Sequence, residues 1–169
     1  PSVMVLQELQ AFSPVPVLGV YPPVRQALAL SRSGEVALLG VASLARSPQI
    51  AAYVQREAAG RAVRVVNASA LVALVESGAF LSDAAGTQTQ VHAFMQALLR
   101  QHPGVDVCTL SSTHLPWLRA FFEQAAPQVQ FLDPAQSVVE RLAALLPQDR
   151  PADGRPGRLV CMATESPAC

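Results

Sequence analysis

Residues 105–118 read Val105-Asp106-Val107-Cys108-Thr109-Leu110-Ser111-Ser112-Thr113-His114-Leu115-Pro116-Trp117-Leu118. The first six form an apolar run rich in β-branched residues, which predicts a buried strand. From Leu115 to Ala126 the apolar positions recur at helical spacing, which predicts an amphipathic helix. Ser111, Ser112, Thr113 and His114 therefore stand where a strand ends and a helix begins. In an open parallel sheet that edge is where ligands bind, because loops converge there and helix starts offer free N–H groups.

The same alternation extends in both directions. Further short strands are expected at Val15–Val20, Glu35–Val41, Ala62–Asn67 and Val129–Asp133, with a weaker one at Arg158–Ala163. Between them helical patterns run over Val24–Ser31, Pro48–Ala59, Ala68–Glu76, Val91–Gln101 and Pro134–Leu146, after a leading helix over Ser2–Phe12. Ser47 and Asp133 are placed to cap helices that open with Pro48 and Pro134. Gly34, Gly60 and Gly104 fall just past helix ends, where a left-handed residue is often needed. Strands alternating with helices imply parallel pairing and right-handed crossovers. The expected fold class is α/β, a doubly wound three-layer sandwich with a mainly parallel sheet. Ser77–Gln90 is polar and small and is expected to be a loop; 148–157 has the composition of a linker. The expected organisation is one domain over 1–147, the linker at 148–157, and a terminal strand or tail over 158–169. The first 14 residues would be a helix left from a preceding half.

The chain has 169 residues, enough for the core of one domain, with 51% apolar and 14% charged residues. Acids and bases balance at a net charge of 0, and no basic stripe is present, which argues against nucleic acid as a partner. No apolar run is long enough for a membrane span, and no basic leader precedes an apolar stretch, so a cytoplasmic location is expected. All 12 basic residues are Arg, which with the abundant Ala and Pro suggests a GC-rich bacterial genome. The 3 cysteines, Cys108, Cys161 and Cys169, form no ligand cluster, so buried free thiols are expected and a metal is not.

Several segments, in this order, resemble the glutamate racemase family of the aspartate/glutamate racemase superfamily. Val15-Pro16-Val17-Leu18-Gly19-Val20 is similar to the family's Val-Pro-Val-Val-Gly-Val. Tyr21-Pro22-Pro23 stands where members carry Ile-Glu-Pro or Ile-Pro-Pro. Leu74-Val75-Glu76-Ser77-Gly78 is similar to Leu-Val-Glu-x-Gly, and Phe131-Leu132-Asp133 to Leu-Ile-Asp. The motif Gly-Cys-Thr-His-aromatic-Pro-Leu-Leu corresponds to the stretch around Ser112, with serine at the cysteine position. Members continue Gly-Thr-x-x-Thr where this chain has Gly40-Val41-Ala42-Ser43-Leu44, so both threonine positions are apolar here.

The resemblance covers most of the chain and implies the C-terminal half of such an enzyme. The family interconverts L- and D-glutamate for peptidoglycan without a cofactor. Two thiols, one from each half, remove and return the α-proton on opposite faces of the carbon. The resemblance implies that Ser112 holds the place of one thiol, with His114 beside it and Glu76 supporting the imidazole. Thr113 and Ser111 would bind substrate. The other thiol would lie in an N-terminal half upstream of Pro1. A serine hydroxyl is a far weaker acid than a thiol, so the chain alone is expected to be inactive. The alternative is a non-catalytic amino-acid-binding or interaction domain derived from that family.

Simpler roles compete for the same residues. Ser112 and Thr113 are favourable helix caps, Glu76 a solvated last-turn residue, and His114 a polar helix start. Ser112, His114 and Glu76 also suggest a hydrolase triad, but no Gly-x-Ser-x-Gly elbow surrounds the serine. His92 and His102 read as surface residues. Trp117 and Phe121, four apart, read as one packed helix face. A lone half would expose apolar surface from the first helix (Val3, Leu6, Leu9) and around Tyr21, Leu115 and Trp117. Self-association, or cover by the C-terminal tail, is therefore expected.

Overall fold

The computed structural model describes residues 6–146. Four strands form one sheet: β1 (Glu35–Gly40), β2 (Ala62–Asn67), β3 (Val105–Leu110) and β4 (Gln130–Leu132). Their order is β2-β1-β3-β4, and each neighbouring pair is parallel. Parallel neighbours cannot be joined by hairpins, so helices carry the crossovers. Helices α1 (Leu6–Phe12) and α2 (Val24–Leu30) precede β1. The connection to β2 holds α3 (Ala42–Ala45) and α4 (Pro48–Ala58). The connection to β3 holds α5 (Ser69–Glu76), α6 (Ala79–Ser82) and α7 (Ala84–Gln101). A 3₁₀ turn (Leu115–Leu118) and α8 (Arg119–Ala125) lead to β4, and α9 (Ala135–Leu145) follows it.

Side chains of a strand alternate between faces, and β1 shows the consequence. Ala37 and Leu39 enter a core shared with α5, α7 and α8, whereas Val36 and Leu38 enter a second core shared with α2 and α4. Helices on both faces of a parallel sheet make the three-layer sandwich expected from the sequence. Phe122 on α8 is fully buried and stacks on Phe131 of β4, ring centres 5.3 Å apart. Among the described residues no helix is long and apolar enough to cross a membrane.

Four expectations fail for identifiable reasons. Val15–Val20 forms no strand. Pro16 lacks the N–H that a ladder needs. Ser77–Gln90 is mostly helical: Gly78 turns left-handed at φ +74°, and Asp83 caps α7 by accepting from the Gly86 N–H at 2.9 Å. The polar Thr87 is buried on α7, so composition misled there. Gly104 is not left-handed; its backbone instead lies against the Glu35 carboxylate. Trp117 and Phe121 do not share a packed core face: Trp117 is 67% exposed, as expected for a residue on a surface left open, while Leu115 and Leu118 of the same 3₁₀ turn are buried. Three smaller corrections follow. His102 is only partly exposed, 3.9 Å from Glu35, and Leu6 and Leu115 are buried, whereas Leu9 and Phe12 are exposed. Asp133 precedes the capping residue Pro134, yet its Oδ1 still accepts from the Ala135 N–H at 2.9 Å. Ser47 does cap α4, accepting from the Ile50 N–H at 3.3 Å. The linker 148–157, the strand Arg158–Ala163, Cys161, Cys169 and Val3 lie outside the described residues.

Candidate functional site

The chain leaves β1 for β2 on one side and then returns to place β3 on the other. Between β1 and β3 the winding reverses, and their carboxyl ends diverge into loops of opposite direction. A cavity of about 670 Å³ opens at that edge, within the range of small-ligand sites. Three segments that follow strands line it: Val41, Ser43 and Leu44 after β1, running into α3; Ser111 to His114 after β3; and Asp133 to Ala135 after β4, running into α9. Glu76, at the last turn of α5, and Pro22, before α2, complete the wall.

Hydrogen bonds fix these loops to the sheet. The Ser111 N–H donates to the Leu39 carbonyl at 2.8 Å, extending the parallel ladder one residue past β3. Its hydroxyl lies 2.8 Å from that of the buried Thr109. The Ala42 N–H donates to the Ser69 hydroxyl at 2.9 Å, which in turn donates to Asn67 Oδ1 at 2.7 Å. The Tyr53 hydroxyl of α4 donates to the Pro22 carbonyl at 2.8 Å. Burial, and then the Glu57 charge, push that phenol above its ordinary pKa, so it stays a donor.

The structure brings all five sequence-derived candidates, Glu76, Ser111, Ser112, Thr113 and His114, to one cavity. Their connectivity differs from the expected one. The imidazole of His114 has Nδ1 at 3.4 Å from the Thr113 hydroxyl and Nε2 at 3.9 Å from Glu76. The Ser112 hydroxyl accepts from the His114 backbone N–H at 3.4 Å, a long capping bond. Among the described residues no hydrogen bond joins the imidazole to Ser112, so a serine–histidine pair of the hydrolase kind is not formed. Both groups of the His114–Glu76 pair are solvated, with side chains 40% and 60% exposed.

Ser43 and Asp133 line the cavity as well. Neither stands near the 111–114 motif in sequence. Only the adjacency of β1, β3 and β4 unites them, and that lies in the topology rather than in any local pattern. Among the described residues no group of His, Cys, Asp and Glu could hold a metal ion. Cys108 sits beneath the site in the middle of β3, fully buried, a free thiol as expected.

Fold and cavity together define a doubly wound α/β protein with a cavity of small-ligand size at the switch point of its sheet. The profile of the family described as Asp/Glu/Hydantoin racemase matches residues 1–142. The chain belongs to that family. It is 27% identical over 153 residues to a glutamate racemase of Actinobacillus pleuropneumoniae serotype 5b, covering 90% of this chain and 57% of that protein. A glutamate racemase of Pseudomonas entomophila is 32% identical over 156 residues, with coverage of 90% and 57%. The chain thus spans little more than half the length of the curated relatives it matches. Among solved structures, Escherichia coli glutamate racemase, in complex with L-glutamate and the activator UDP-MurNAc-Ala, superposes with a TM-score of 0.73 at 24% identity. That match covers 88% of this chain and 57% of the other. Bacillus anthracis glutamate racemase RacE1 gives 0.71 at 22% identity, covering 83% and 52%.

Proposed function

We propose that this chain is a glutamate racemase homologue whose described residues form an amino-acid pocket with weak capacity for α-proton transfer. The observation that carries this is the convergence of Ser111, Ser112, Thr113 and His114 with Glu76 on one cavity. Hydroxyls and N–H groups at a strand end suit a carboxylate, and an acidic side chain opposite suits an ammonium. Ser112 stands where the family motif has cysteine. Abstraction of an α-proton needs a base of matched pKa, and a serine hydroxyl with no bonded base does not supply one. The Thr113–His114–Glu76 chain would orient bound substrate more than activate Ser112.

The relatives are named glutamate racemases, so glutamate is the reference ligand and L-/D-glutamate interconversion the reference activity; a role in peptidoglycan supply is part of the proposal. The test is α-proton exchange in deuterated water, by NMR, with L- and D-glutamate and the purified chain. Parallel ¹⁵N shift mapping reads binding. Shifts confined to the loops after β1, β3 and β4, without deuterium incorporation, are expected. Rapid incorporation would show a base that Ser112 does not provide.

A further inference from the structure

We propose that Ser69 and Asn67 are positioning residues that hold the Val41–Leu44 segment of the cavity in place. The assignment rests on the amino-acid pocket above and says what fixes one of its segments.

Helix α3 is a single turn over Ala42–Ala45, too short to be stable by itself. Val41 precedes it and has no side-chain oxygen to accept from the free N–H groups of a helix start. The missing acceptor comes from 27 residues away: the Ala42 N–H donates to the Ser69 hydroxyl at 2.9 Å. A backbone N–H can only donate, so the Ser69 oxygen accepts there and its own proton is left for another partner. That partner is Asn67 Oδ1, at 2.7 Å. The Ser69 N–H donates to the same oxygen at 3.1 Å, which fixes the Asn67 amide with its oxygen towards Ser69. Each bond in this relay therefore has one possible sense.

The relay carries the sheet beyond its last backbone pair. β1 and β2 stay in register up to Gly40 and Asn67, and the Ala68 N–H donates to the Gly40 carbonyl at 2.7 Å. Two residues past Gly40, the tie to the end of β2 is the Ser69 side chain. Ser43 comes next; it is exposed and lines the cavity. It is held from one side by the Ala42 bond. On the other side Leu44 is 5% exposed and packed in the core with α2 and α4. Ser69 and Asn67 thus act on the pocket through Ala42 rather than by lining it.

The experiment compares the chain with Ser69→Ala, Ser69→Thr and Asn67→Ala by ¹⁵N NMR, with L-glutamate as the probe. Ser69 opens α5 and is partly buried, and Asn67 is exposed, so the three variants are expected to fold. In Ser69→Ala the Ala42 amide should lose hydrogen-exchange protection and the Ser43 and Leu44 amides should shift. The dissociation constant of L-glutamate should rise about three- to tenfold. Asn67→Ala should act in the same direction, and it decides the matter should Ser69→Ala not fold. Ser69→Thr keeps the hydroxyl and should keep the wild-type values. Urea midpoints of the same proteins report stability separately. A lowered midpoint with unchanged L-glutamate affinity makes the relay purely structural and overturns the positioning role, leaving the pocket standing. Unchanged Ala42 exchange in Ser69→Ala overturns the relay itself. A wild-type chain that shows no response to L-glutamate overturns the pocket reading and the role built on it. Ala42 protection in that sample would locate the failure in the pocket reading and not in the relay.

Discussion

The imidazole Nε2 of His114 stands 3.9 Å from the Glu76 carboxylate, bringing the loop after β3 to the last turn of α5. The separation is long for a hydrogen bond, and both side chains are solvated. Such a pair contributes under about 1 kcal/mol to stability. Glu76→Gln is therefore expected to shift the urea midpoint little while altering amino-acid affinity. A loss of several kcal/mol would mean that Glu76 is structural, and its place in the pocket would have to be abandoned.

Ser112 is the residue that separates the chain from the family motif. Ser112→Cys replaces a hydroxyl that barely ionises by a thiol of pKa about 8.5, at little change in volume. Deuterium incorporation at the α-carbon should become measurable for any amino acid that binds. Unchanged incorporation, with binding retained, would place the α-carbon out of reach of position 112.

Asp106 anchors the turn between α2 and β1 to β3. It accepts from the Ser31 hydroxyl, from the Arg32 N–H at 2.7 Å and from the Ser33 N–H at 3.0 Å. Burial raises its pKa, but the bonds from Ser31, Ser33 and Arg32 outweigh burial and hold it below the ordinary value. A depressed carboxyl stabilises the fold above the unfolded pKa of about 3.9 and loses that contribution as pH falls through the folded value. Asp106→Asn should cost on the order of 1 kcal/mol at pH 7, discounted for exposure, and flatten the acid limb of the stability curve. An unchanged acid limb in the variant, followed by urea titration from pH 6 to 2, would remove Asp106 as its source.

Cys108 shows the opposite sign. Burial first, and the Asp106 charge second, push its thiol up to about 12. Its contribution is full below the unfolded pKa of about 8.5 and is lost as pH rises towards the folded value. At pH 8 the native thiol should resist iodoacetamide and react only after denaturation, as peptide mapping of Cys108 can read. Rapid native labelling at that peptide would show that β3 opens readily.

Trp117 is the only tryptophan of the chain and 67% exposed. Acrylamide should quench it efficiently in dilute protein, and a ligand that fills the cavity should protect it. Phe12 and Leu81 are 89% and 77% exposed, so concentrated protein is expected to self-associate, to be read by sedimentation velocity at several concentrations. Unchanged sedimentation would leave those side chains as ordinary surface residues.

β1 and β3 were legible because each is a short apolar run that the parallel sheet buries on both faces, and β2, an edge strand, because it is rich in Val. Val15–Val20 looks the same by composition, yet Pro16 lacks the N–H a ladder needs and the segment forms no strand. Ser77–Gln90 misled in the other direction. Its Asp83 cap was hidden by the small, polar composition around it, and the burial of Thr87 is a tertiary fact that composition does not carry. The contiguous part of the site, 111–114, announces itself at a strand end. Glu76 came only through the family motif. Asp133 was legible as a helix cap and as the end of a family motif but not as part of the site, and Ser43 not at all, because strand order alone brings their segments to the cavity.

The ladder contact between Ser111 and Leu39 joins two chain segments separated by most of the β2 crossover. The cavity therefore does not exist in any fragment of the folding chain. It forms when the most distant strand neighbours meet, a slow step for parallel topologies. A ligand held by the loops after β1, β3 and β4 bridges those neighbours in the finished state alone. It should then act as a latch on the sheet, lengthening the lifetime of the native protein without hastening its formation.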